Sequence, residues 1–118
     1  MAGRIELDRD LVLNALSSSV IVVDEAMTVL YVNDAAEQVL QGSLNGLQGH
    51  RLDAFVPADS PLFALIRQAR TGNHSVAEYH VSLASPRIGH HVVNIQAAPL
   101  PEIEGAVVVS MQERSVAA

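Results

Sequence analysis

The sequence predicts an α+β domain. Short β-branched runs such as Ser19-Val20-Ile21-Val22-Val23 and Ala106-Val107-Val108-Val109 read as buried strands rather than helices. Ser60-Pro61, followed by apolar residues at helical spacing up to Gly72, marks a helix with its own start and stop signals. At 118 residues and 12.6 kDa the chain has the size of one domain, able to bury about two-thirds of its unfolded surface in a single core.

The first expected element is a helix capped by Asp8 or Asp10 and running to about Ser17. Leu11, Val12, Leu13 and Leu16, with Ile5 and Leu7 upstream, give it an apolar stripe that must lie on something. A strand over 19–24 follows. Asp24-Glu25-Ala26-Met27 makes a turn without the glycine that a tight hairpin prefers, and residues 28–32 form the partner strand. Asn33 or Asp34 caps a helix over residues 34–40, which Gly42 terminates.

Residues 43–59 break into short pieces punctuated by Gly46, Gly49 and Pro57. The helix opened by Ser60-Pro61 presents Leu62, Phe63, Leu65, Ile66 and Ala69 on one face, and Gly72 stops it. Three strands complete the chain. Residues 75–83 alternate, with Ala77, Tyr79, Val81 and Leu83 on one side. A hairpin loop over 85–89 leads to a strand over 91–97. A second loop, 99–105, leads to residues 106–111, which are apolar on both faces and therefore expected to be central and covered twice. The order is helix, two strands, a run of helices, three antiparallel strands, with no internal repeat and no domain boundary.

Composition excludes several chemistries. The chain has no cysteine, which removes thiolate catalysis, cysteine-based zinc sites, iron–sulfur clusters and flavin–cysteinyl photochemistry. Its longest aliphatic runs, 20–23 and 106–109, are four residues each, far short of a membrane span, and residues 4–10 are mostly polar and acidic, unlike a signal peptide. A reducing, cytoplasmic location is the expectation.

All seven basic residues are arginines, scattered singly against thirteen acids, for a net charge of −6. Binding to nucleic acid or an anionic membrane needs clustered cations, so neither partner is expected. Ser17-Ser18-Ser19 has no Gly-x-Ser-x-Gly elbow, and Gly42, Gly46 and Gly49 are followed by no lysine that would complete a phosphate loop. His90 and His91 are adjacent, so on a strand they point to opposite faces and cannot hold one ion together. Nothing local singles out any of the five histidines as a pH sensor.

The element order and particular motifs resemble a PAS domain. Tyr31-Val32-Asn33-Asp34-Ala35-Ala36-Glu37, after the two strands and the Asp24 turn, is similar to the start of the first PAS helix. Leu47-Gln48-Gly49-His50-Arg51-Leu52 and Val56-Pro57-Ala58-Asp59 are similar to a later PAS stretch. The resemblance spans about residues 10–114 and implies a five-stranded antiparallel sheet in the order 2-1-5-4-3. Helices would cover one face, with an N-terminal helix capping the other. Residues 1–17 would be that capping and dimerisation helix, 18–112 the PAS domain, and 113–118 the start of a linker to a kinase dimerisation helix. Met27 stands where the first hairpin often has Gly, and Glu113-Arg114 where many PAS domains end in Asp-x-Thr.

A narrower resemblance rests on Asp59-Ser60-Pro61-Leu62, Ser75-Val76-Ala77-Glu78-Tyr79, Ala98-Pro99-Leu100-Pro101 and Met111-Gln112-Glu113-Arg114-Ser115. These look like the N-terminal sensor domain of nitrogen-regulation histidine kinases of the NtrB type. That resemblance implies a regulatory, non-enzymatic fragment of an ATP-dependent kinase, with ATP bound only in a kinase domain absent from these residues. It also implies a homodimer, with a response regulator and a PII signalling protein as partners of the whole protein. None of the five histidines sits in a phosphoacceptor context, and residues 62–70 hold none where haem-binding PAS domains place one.

PAS domains hold ligands between sheet and helices, and Tyr31, Phe55, Phe63, Tyr79 and Met111 are the candidate lining of such a pocket. With four aromatics and no tryptophan, nothing resembles a flavin site, and no cofactor is expected. The dimer-interface candidates are Leu11, Val12 and Leu16 of the N-terminal stripe with Val92 and Val108 on the outer sheet face. Two alternatives remain open: a ligand-sensing PAS module of another signalling protein or transcriptional regulator, and a free-standing small-molecule-binding protein.

Overall fold

The computed structural model describes residues 18–113. The expected N-terminal helix, with Leu11, Val12 and Leu16, lies outside the described residues, as does the expected linker beyond Glu113. The elements are β1 (Ser19–Val23), β2 (Val29–Val32), α1 (Asp34–Leu40), α2 (Leu44–Leu47), a single 3-10 turn (Leu52–Ala54), α3 (Pro61–Gly72), β3 (Val76–Ser85), β4 (Gly89–Pro99) and β5 (Val107–Glu113). The strands form one antiparallel sheet in the order β2-β1-β5-β4-β3. The last strand in sequence is therefore the central one in space, as its two-faced apolarity requires.

Burial follows the pleat. Ile21 and Val23 of β1, Val107, Val109 and Met111 of β5, and Val93, Ile95 and Ala97 of β4 all sit in the core. Leu40, Leu47, Leu52, Leu62, Phe63 and Ile66 of the helical segment close over them. All the described helices pack on this one face.

The β1–β2 turn works without glycine because Asp24 organises it. One Asp24 carboxylate oxygen accepts from the N–H groups of Ala26 and Thr28, both at 2.9 Å, an Asx turn. Met27 takes the left-handed conformation at φ 67° while its side chain is buried. The free edge of β2 is covered by residues 49–52. Val29 donates to His50 O and accepts from Gly49 N, both at 2.8 Å, and Leu52 N donates to Met27 O at 2.8 Å.

Both helix ends differ from expectation by one residue. Gln41 (φ 56°), not Gly42, is the left-handed residue after α1, and Asn73 (φ 54°), not Gly72, follows α3. Space at Gly42 is tight: a Cβ there would stand 3.1 Å from both Arg87 Nη2 and Leu47 Cδ2, so those side chains would have to give by a few tenths of an ångström. Arg87 donates to the carbonyls of Leu40 and Gln41 at 3.2 and 3.1 Å, and its guanidinium lies 5.1 Å over the Phe55 ring. Arg70 ties the other end of the fold, donating to Gly105 O at 2.8 Å and Asp24 O at 3.0 Å.

β3 departs most from its sequence pattern. Its first half pairs Glu78 with Ile95, its second half pairs Val81 with Val93, and one extra residue separates the two registers. His80 absorbs the bulge at φ 59°, and its N–H donates to Asn94 Oδ1 at 3.1 Å. The core-facing residues are consequently Val76 before the bulge and Val81 and Leu83 after it. The expected single row of Ala77, Tyr79, Val81 and Leu83 does not exist.

Candidate functional site

The candidate site has two faces, one on each side of the central strand. Both phenylalanines are on the helix-bearing face. Phe63 is buried in the core, and Phe55 is half-buried against it, edge-on to His50 at 6.4 Å and beneath Arg87. Met111 is buried between β1 and β4 and borders a groove of about 370 Å³ under α1. Ser19, Gln38, Gln41, His91 and Glu113 supply its polar rim.

Neither tyrosine belongs to this face. Tyr79 is 68% exposed, because the bulge before Val81 breaks the alternation that would have turned it inward. Tyr31 pairs with Val22, one residue out of step with the core pair Ile21–Val32, so the pleat carries it to the outer face.

On that outer face the register builds an apolar row. Tyr31 opposes Val22, Val22 opposes Val108, and Val108 opposes Ala98, crossing four strands over about 15 Å. Val92 shares the face but not the row. It lies six residues from Ala98, about 20 Å along β4, with Asn94 and Gln96 between. Of the outer-face candidates, then, Val108 joins a contiguous apolar surface and Val92 pairs with Ser82 near the hairpin end. Sequence reasoning placed Tyr31 in the pocket. Only the β1–β2 register, set by an irregularity between Val22 and Val23, reveals it as the edge of this row.

The adjacent histidines do face opposite ways. His90 Nε2 contacts Ser82 Oγ at 2.8 Å on the outer side, whereas His91 turns to the groove under α1. Among the described residues no group of three or more His, Asp or Glu side chains converges as a metal site. Among them also, no helix is long and apolar enough to cross a membrane.

The groove and the sheet end are rigidly set by one residue that sequence reasoning identified only as a possible helix cap. Asn33 is 1% exposed. Its Oδ1 accepts from Ala36 N at 3.0 Å and Val20 N at 2.9 Å, while its Nδ2 donates to Ser18 O at 2.9 Å. It thereby caps α1 and fastens the start of β1 at once. Glu37 extends the clamp by accepting from Leu44 N at the start of α2. The charged pair on the surface, Arg51 and Asp53, is 3.0 Å apart. Hydrogen bonds from the Arg51 guanidinium hold the Asp53 carboxyl below the usual carboxylate range against a smaller opposing effect of desolvation.

Comparison with known proteins matches this architecture. The family described as PAS fold covers residues 13–116. The chain is 44% identical over 107 residues to the sensory histidine kinase/phosphatase NtrB of Rhizobium meliloti (strain 1021), covering 90% of this chain and 28% of that one. It is 33% identical over 111 residues to NtrB of Azospirillum brasilense, covering 94% and 28% respectively. This chain thus spans about 28% of the length of these relatives. Among solved structures, the PAS domain of nitrogen regulation protein NR(II) from Vibrio parahaemolyticus superposes with a TM-score of 0.77 at 18% identity, covering 89% of this chain and 96% of that one. The chain belongs to the PAS-fold family, and its sequence is similar to NtrB-type sensory histidine kinases.

Proposed function

We propose that this domain is the sensory and dimerising module of a cytoplasmic NtrB-type kinase and sets the balance between its kinase and phosphatase activities. The observation that carries this reading is the 44% identity to a sensory histidine kinase/phosphatase across nine-tenths of the chain. The partners of the whole protein are then a response regulator and a PII signalling protein. The fold supplies a route for the signal. β5 lies at the sheet centre, with β1 and β4 on its two sides, so a change on either face reaches the strand that leads out past Glu113. The Tyr31–Val22–Val108–Ala98 row is the surface on which the N-terminal stripe of the same or a partner chain docks, with Leu11, Val12 and Leu16 as its contacts.

Native mass spectrometry of freshly purified protein beside a denatured run tests this reading. The expected species is a dimer carrying no mass that denaturation removes. Val12→Glu with Leu16→Glu, or Val108→Glu alone, converts it to a monomer with unchanged circular dichroism. A wild-type chain that is already monomeric overturns dimerisation. In the full-length kinase, Val108→Glu shifts the ratio of phosphorylation to dephosphorylation of the response regulator, and an unchanged ratio overturns the regulatory role.

A second reading, ligand sensing, is favoured by the groove under α1, which combines the Met111 side chain with polar groups from four elements. Mass that leaves on denaturation selects it over the first.

A further inference from the structure

His91 has both ring nitrogens committed to acceptors. Its side chain is 21% exposed, on the helix-bearing face of β4 opposite Leu83 of β3. Nε2 lies 2.7 Å from the carbonyl oxygen of Ile88 in the β3–β4 turn. Nδ1 lies 2.5 Å from Oε1 of Glu113 at the end of β5. A carbonyl oxygen offers only lone pairs, and so does an ionised carboxylate. Neutral imidazole has a single N–H, so beside a carboxylate one ring nitrogen would turn its lone pair toward an oxygen at contact distance. The imidazolium has two N–H groups and satisfies both acceptors. If the carboxyl rather than the ring holds the second proton, the count is the same. Two protons serve these two contacts.

The other groups around the ring leave this pair to itself. Among the described residues that line the groove, His91 and Glu113 are the titratable ones. α1 presents Gln38 and Gln41, β1 presents Ser19, and β5 adds Met111. The nearby cation of the β3–β4 turn, Arg87, donates to the carbonyls of Leu40 and Gln41 at the end of α1. The pair also sits where it matters mechanically. The last described backbone partners of β4 and β5 are Val93 and Glu113, and His91 reaches Glu113 from one pleat step further along β4.

We propose that His91 and Glu113 form a proton-dependent latch that fastens the end of β5 to the β3–β4 turn. With the proton present, Glu113 is tied through the imidazole to the Ile88 carbonyl, and the final residues of β5 are held on the sheet. Loss of the proton breaks one of the two bonds and frees the end of the strand. The latch stands on this geometry alone. Its use as a signal rests on the reading of β5 as the output strand, and the two are tested separately.

Hydrogen exchange at the amides of Met111, Gln112 and Glu113, corrected for intrinsic chemical rates and followed from about pH 5 to about pH 8.5, tests the latch. Protection in the wild-type domain falls about two- to fivefold as pH rises, the range expected of a partly exposed ion pair. In His91→Gln and in Glu113→Gln it is flat, while His90→Gln keeps the wild-type profile. Glu113 is half-exposed, so its variant folds even if the His91 substitution does not. A flat wild-type profile, or a pH dependence that survives in Glu113→Gln, overturns the latch. If exchange responds but the full-length kinase has the same activity ratio in wild type and Glu113→Gln, the latch holds and the output reading fails.

Discussion

Asn33 Oδ1 accepts from the backbone N–H of Val20 at 2.9 Å and of Ala36 at 3.0 Å. One buried side-chain atom thus joins the first residues of β1 to the first turn of α1. The same residue's Nδ2 donates to Ser18 O, so every polar atom of the amide works across the junction. A cap on an exposed helix stabilises only its own helix. This one also sets where β1 enters the sheet and, through α1, the roof of the groove.

Asn33→Ala should therefore cost more than an ordinary cap. It removes the helix cap and strands two backbone groups at a buried site, together worth about 2–4 kcal/mol. Urea unfolding measures the loss. A change below about 1 kcal/mol would show that water replaces the amide without penalty.

Met27 opposes two effects. Its left-handed backbone costs about 1–2 kcal/mol relative to glycine, while its buried side chain is worth more than that. Met27→Ala loses the side chain and keeps the strain, for a cost of about 2–5 kcal/mol. Met27→Gly loses the side chain and relieves the strain, so it should be the more stable variant by about 0.5–1 kcal/mol. Thermal unfolding of the two variants decides the order.

The two faces of the pocket reading separate cleanly. Phe63→Ala empties a buried aromatic site and costs about 3–5 kcal/mol, whereas Tyr79→Ala stays within about 0.5 kcal/mol of wild type. Equal costs in chemical denaturation would mean that Tyr79 is covered in solution.

Asp53 gives a sign that pH can read. Its carboxyl is held below the usual range in the folded protein. The stabilisation is thus present above the unfolded value of about 4 and is lost as pH falls through the lower folded value. Asp53→Asn should be slightly less stable than wild type near neutral pH, with the gap closing in strong acid and at high salt. A gap that widens in acid would reverse the assignment.

Much of this protein was legible in its sequence. The strand and helix order, the single core and the central place of β5 follow from local periodicity, capping residues and two-faced apolarity, each visible within ten residues. The motifs around Asn33 and residues 47–59 carried the PAS resemblance and with it the strand order.

Tertiary structure decided what depends on partners far apart in sequence. The extra residue in β3 turned Tyr79 to solvent because pleat direction is counted from the cross-strand partner, and one bulge reverses the count. The β1–β2 register likewise set Tyr31 on the outer face of the sheet. Gly42 is crowded by the Arg87 and Leu47 side chains rather than held at a left-handed φ. His91 meets Glu113 across 22 residues, a contact that no spacing rule announces. Periodicity tells which residues want to be buried. Only the assembled sheet fixes which face they reach and which polar atoms they meet there.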